Sequence, residues 1–168
     1  MNPFNRLIKI AIKKASQNID SQDFPIACLL ILQHKQSGKI QHLSIAKNEV
    51  YKHGNCMMHA ECLAISRMCK KIQNHRFDDY FASIYSSLEP CLMCYGAICH
   101  ARIQRLVFGL KDSKFGFTSH LKYFKDGSVC DKNIVQDKAS CYNHPEVFYG
   151  FCEDEISRLM QNFTSGIR

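Results

Sequence analysis

Two short stretches, His59-Ala60-Glu61 and Pro90-Cys91-Leu92-Met93-Cys94, hold the residues whose types and spacing can do chemistry. One imidazole and a pair of thiols at C-x-x-C spacing can bind zinc through three protein ligands and leave the fourth position to water. A structural zinc site closes with four protein ligands. The sequence has no second C-x-x-C and no H-x-x-x-H to close one, so the pattern favours an open, catalytic site. Zinc draws the pKa of a bound water towards about 7, and Glu61, so close after His59, is placed to take the released proton and pass it on. A thioredoxin-like redox pair would need neither His59 nor Glu61.

These residues need elements to position them. Proline before Cys91 marks a helix start, with a helix from about Cys91 to Ala101 carrying both thiols in its first turn. Free N–H groups and the positive end of the helix dipole favour thiolate there. A second helical pattern runs from Met58 to about Ile72 and places His59 and Glu61 on its first turn. Short strands follow at Ala82 to Ser87 and Arg105 to Gly109. Two strand-helix units in succession imply parallel pairing and a layered α/β domain with helices on the sheet faces.

Upstream, Asn2-Pro3 reads as a helix start, and Phe4, Leu7, Ile8, Ala11, Ile12 and Ala15 repeat at helical spacing, giving a first helix to about Asn18. Phe24 to Gln33 and Lys39 to Lys47 form a hairpin around the turn-like Lys35 to Gly38. Its first strand is apolar on both faces and therefore central, and its second is an edge. Downstream, Phe115-Gly116-Phe117 and Asp126-Gly127-Ser128 read as loop, Glu146 to Tyr149 as a fifth strand, and Glu153 to Phe163 as a closing helix.

Composition sets the frame. At 168 residues, 46% hydrophobic and 22% charged, the chain reads as one globular domain over residues 1–168, neither disordered nor fibrous. The longest apolar run is too short for a membrane span, and the N-terminus lacks the apolar core of a secretory signal, so a soluble, cytoplasmic protein is expected. Most of the ten cysteines read as buried free thiols rather than a disulfide scaffold. A formal charge of +7 is compatible with an anionic partner such as RNA.

H-x-E together with P-C-x-x-C resembles the signature of zinc-dependent nucleobase deaminases. The wider run Leu88-Glu89-Pro90-Cys91-Leu92-Met93-Cys94-Tyr95-Gly96-Ala97-Ile98, with Ala101-Arg102-Ile103, Val107-Phe108-Gly109, Asp112 and Lys114, is similar to the bacterial tRNA adenosine deaminases, which convert the wobble adenosine to inosine. The resemblance implies a cytidine deaminase-like three-layer α/β/α sandwich around a mixed five-stranded sheet. It also implies one zinc per chain held by His59, Cys91 and Cys94, and a proton shuttle at Glu61. Water then adds at C6 of adenine, while Glu61 protonates the ring and then the departing amine. It further implies a homodimer that acts on the tRNA anticodon loop.

The substrate contacts implied are Asn48, Ala60, Glu89 and Asp112. Phe24 and Pro25 either wall the base pocket or simply pack at the strand start, and Asp112 taken alone is an ordinary loop aspartate. The chain departs from the family's pattern at Phe115-Gly116-Phe117-Thr118-Ser119-His120, where a small-residue loop is usual, and in the tail Phe163-Thr164-Ser165-Gly166-Ile167-Arg168, which has a reduced basic grip. It also departs at Cys56, Met57 and Met58 before the histidine and in a long polar stretch from Gly127 to Asn143. Cys130, Cys141, His144 and Cys152 lack the spacing of a second zinc site. A deaminase of free bases or nucleosides, such as guanine or cytosine, is the alternative enzyme. An inactive zinc-containing RNA-binding partner has no need of Glu61.

Overall fold

Asn2 accepts the N–H of Phe4 on its side-chain oxygen at 2.9 Å and Pro3 takes the first helical position, so α1 spans Pro3–Ala15. A computed structural model describes residues 2–120 and 144–166 of the chain. A 3-10 turn at Ser16–Asn18 follows α1, then β1 (Ala27–His34), β2 (Ile40–Lys47), α2 (Val50–His53), α3 (Ala60–Ile72), β3 (Tyr80–Leu88), α4 (Leu92–His100), β4 (Arg105–Leu110), β5 (Glu146–Phe148) and α5 (Glu153–Gly166).

The five strands lie in the order β2-β1-β3-β4-β5. β1 is antiparallel to both neighbours, while β3, β4 and β5 run parallel, so the sheet is mixed. β1 is internal and β2 is an edge, as the hairpin pattern implies.

Period-two alternation sends the side chains of β1 to opposite faces. Cys28, Leu30 and Leu32 meet Ala64 and Met68 of α3 and Ile98 of α4. Leu29 and Ile31 meet Ile8 of α1 and Ile156 of α5. Apolar burial on both faces requires helices on both, which produces the three layers.

Several details differ from the sequence reading, among them β1, which begins at Ala27 rather than Phe24, and α1, which gives way to the 3-10 turn after Ala15. α2 is an extra short helix between β2 and α3, closed by Gly54 in the left-handed conformation at φ 57°. β3 is longer than expected at both ends. Residues Phe117–Ser119 form a 3-10 turn where loop was expected. Both site helices also start later, with His59 and Cys91 outside them as N-cap residues.

Asp126-Gly127-Ser128, the Gly127–Asn143 stretch with Cys130 and Cys141, and the tail residues Ile167 and Arg168 lie outside the described residues. Among the described residues no helix is long and apolar enough to cross a membrane.

Candidate active site

An N-cap residue keeps non-helical backbone while its carbonyl already accepts the first helical hydrogen bond. His59 has ψ 151° and accepts from Leu63 N at 2.9 Å, and Cys91 has ψ 171° and accepts from Tyr95 N at 2.9 Å. Neither side chain caps its own helix. Both turn instead towards each other, with Cys94 on the first turn of α4 as the third member. The expectation that both thiols and the histidine sit within first helical turns is therefore corrected for His59 and Cys91. The extended backbone of a cap, rather than a shared helix face, aims them.

Nδ1 of His59 lies 3.7 Å from Cys91 Sγ and 3.6 Å from Cys94 Sγ. All three candidate ligand atoms fall within 4.8 Å of one another, the group among the described residues able to hold a metal ion. Tetrahedral zinc with ordinary Zn–S and Zn–N bonds sets its nitrogen and sulfur ligands about 3.6 Å apart. The donor set and its spacing fit that ion.

The ionisation of the cluster points the same way. A hydrogen bond from Cys94 lowers the Cys91 thiol to about 4; burial opposes the shift and His59 assists it. The bond to Cys91 in turn raises His59. Cys94 is pushed up because it donates to Cys62 and Cys91 and is buried beside Glu61. The two thiols are thus shifted in opposite directions. A dication between them favours thiolate at both.

Glu61 is only 3% exposed. Ser86 on β3 donates its hydroxyl to Glu61 Oε1 at 2.6 Å, and Cys94 Sγ lies 3.3 Å from Oε2. One oxygen is pinned to the sheet and the other faces the ligand cluster. Ser86 is not marked in the sequence as a site residue. The usable signal is its register, because it shares the inward phase of Ala82 and Ile84, which face α3.

The other implied contacts are placed unequally. Ala60 is buried at the start of α3, between His59 and Glu61. Asn48 is buried, and its amide donates to Asp23 Oδ1 at 3.2 Å. Asp23 also accepts the N–H groups of Tyr51 at 2.8 Å and Lys52 at 3.1 Å, so one carboxylate organises the turn from β2 into α2. No local pattern marks Asp23, because its partners are distant in sequence. Pro25 is buried, while the Phe24 ring is 43% exposed and rests 5.2 Å from Phe163 of α5, so packing accounts for part of its surface.

Glu89, expected at the substrate, has both carboxylate oxygens engaged by the loop after β4. Asp112 N donates to Oε2 at 2.9 Å, and Thr118 donates its N–H at 2.9 Å and its hydroxyl at 2.6 Å to Oε1. Asp112 Oδ1 accepts from Lys114 N at 2.9 Å and Phe115 N at 3.1 Å. A β-carbon at Gly116 would collide with the Glu89 carboxylate and Asp112 O, and Gly116 forms a backbone bridge with Cys91. The loop is thereby tied to a candidate ligand.

The residues considered for a second metal site separate. His144 Nδ1 pairs with Tyr95 Oη at 2.9 Å, and Cys152 Sγ lies 3.6 Å from Asn5 Oδ1. Cys130 and Cys141 lie outside the described residues.

Comparison with known proteins places this geometry. Residues 1–110 match the cytidine and deoxycytidylate deaminase zinc-binding region. The chain is 32% identical over 159 residues to a tRNA-specific adenosine deaminase of Rickettsia bellii, covering 94% of this chain and 97% of that one. Its identity to the tRNA-specific adenosine deaminase of Bacillus subtilis is 30% over 162 residues, covering 96% and 88%. Among solved structures, one from a study of A-to-I editing by tRNA deaminases at the wobble position superposes with TM-score 0.70 at 26% identity, covering 92% of this chain and 98% of that one. A guanine deaminase from Nitrosomonas europaea superposes with TM-score 0.74 at 18% identity, covering 96% and 84%, a likeness of fold.

Proposed function

This chain belongs to the zinc-binding cytidine and deoxycytidylate deaminase family, and from that premise we propose that it hydrolyses adenosine to inosine at the wobble position of tRNA, releasing ammonia. The observation that carries the chemistry is the buried Glu61 carboxylate, anchored at Oε1 by Ser86 and turned at Oε2 towards the His59–Cys91–Cys94 cluster. The substrate class rests on the tRNA-specific relatives, which align over nearly the whole chain.

His59 through Nδ1, with Cys91 and Cys94 through Sγ, would hold one zinc per chain. When bound, zinc supplies Lewis acidity that brings the ionisation of water towards about pH 7. Glu61 Oε2 receives the proton that water gives up as its oxygen bonds to C6 of adenine. Glu61 returns that proton to the ring nitrogen. It then carries a second proton from the new hydroxyl to the amino group, so that the C–N bond breaks with ammonia leaving and the carbonyl of inosine remaining. Asn48, held by Asp23, and Ala60 are the residues we assign to the bound nucleoside, with Phe24, Pro25 and Asp112 around it.

We further assign one domain to residues 1–168, the anticodon loop of tRNA as partner, a homodimer and a cytoplasmic location. The eight free cysteines among the described residues support a reducing compartment. One assay tests the activity: purified protein is offered tRNA with a wobble adenosine, free adenosine, guanine and cytosine, and inosine and ammonia are measured. Inosine in tRNA without turnover of the free compounds is expected. Turnover of a free base alone would overturn the proposal in favour of the free-base alternative.

A further inference from the structure

We infer that Phe115 is a stacking platform for an unpaired RNA base next to the target adenosine, which rests on the reading that RNA is the substrate. The residue is 68% exposed, the largest such value among the exposed large hydrophobic residues described. Loop packing does not need it there. Phe117, close by on the same loop, is fully buried and stacks on Tyr95 at 4.1 Å and 8°, edge-on to Phe108 at 6.1 Å.

The loop that presents Phe115 is braced. Asp112 Oδ1 accepts the Phe115 N–H, the Glu89 carboxylate ties Asp112 to Thr118, and Gly116 bridges to Cys91. The ring therefore stands one residue from a backbone contact with a candidate ligand, on a segment that loses little freedom when something docks on it.

The surroundings choose the occupant. Lys114 is exposed on the same loop, Lys111 is exposed at its start with its ammonium 4.2 Å over the Tyr149 ring, and the chain carries a formal charge of +7. The Asp112 oxygen that accepts hydrogen bonds faces the N–H groups of the loop itself. An exposed aromatic ring next to a lysine in the loop suits a single strand, whose bases stack while its phosphates pair with lysine. The exposed ring adds contact area on the loop that Gly116 ties to Cys91.

The test is made in a Glu61→Ala background, so that RNA is bound but not turned over, using fluorescence anisotropy on a labelled anticodon stem-loop with a wobble adenosine. Adding Phe115→Ala is expected to weaken binding about tenfold, and adding Phe115→Trp to preserve it. Melting temperature and zinc content should stay unchanged. Equal affinity of Phe115→Ala and its parent overturns the inference. So does a change of oligomeric state on size exclusion, which would make the ring a contact between two copies.

Activity is scored separately with Glu61 intact. Phe115-dependent binding without inosine leaves the inference standing and removes the proposed activity. Inosine formed equally well by Phe115→Ala below saturation removes the inference and leaves the activity. RNA that binds neither protein overturns both.

Discussion

Glu61 is anchored to the sheet at one oxygen and meets the ligand cluster at the other, and that asymmetry decides what its neighbours are worth. Removing the carboxylate in Glu61→Ala should lower kcat by roughly a hundredfold to ten-thousandfold while zinc content, measured by atomic absorption, stays at the wild-type value. Ser86→Ala keeps the carboxylate and frees its anchored oxygen, so a smaller loss of about tenfold in kcat is expected in the same assay. The two proteins together separate having a proton carrier from aiming it. The His59, Glu61, Cys91 and Cys94 set is legible in sequence because ligand types at short spacing are rare by chance. Ser86 and Asp23 are not, since a serine on an apolar strand and an aspartate before Phe24-Pro25 look the same whether or not a distant residue needs them.

At the scale of elements, α2 and α3 are clasped to β2 by Glu49. Its oxygens meet Lys52 Nζ at 3.0 Å, His53 Nε2 at 3.3 Å and Arg67 Nη2 at 3.3 Å, and Arg67 also donates to Ile45 O at 3.1 Å. Burial pushes the Glu49 carboxyl up, but hydrogen bonds from Lys52 and His53 and the charges of Lys52 and Arg67 outweigh it and leave the group below its ordinary value. A depressed carboxyl stabilises the fold above its unfolded pKa of about 4.3, and that stability is lost as pH falls through the lower folded value. Thermal melts across acidic pH should therefore decline less steeply in Glu49→Gln than in the wild type. In the loop after β4, Phe117→Ala should cost about 3–5 kcal/mol of stability in denaturant melts. Apart from α2, four residues long and too short to show a period, strand and helix identities here are readable from periodicity. The cap positions of His59 and Cys91 are not, because a helix start one or two residues later leaves the apolar pattern unchanged and alters only where a side chain points.

For the molecule as a whole, the three layers bring the starts of α3 and α4 together with the carboxyl end of β3, so the cluster is assembled from segments far apart in sequence. Composition and motif spacing foreshadow that architecture. They do not foreshadow the tie between Gly116 and Cys91, which exists only once both segments are in place. From that tie we predict that the loop's accessibility reports metal occupancy. Withdrawing zinc with a chelator should release Cys91, slacken the segment paired with it, and expose the backbone after Lys114 to trypsin. Limited digestion followed by mass spectrometry should find faster cleavage at Lys114 in chelated protein and protection restored by added zinc, a measure of loading that needs no substrate at all.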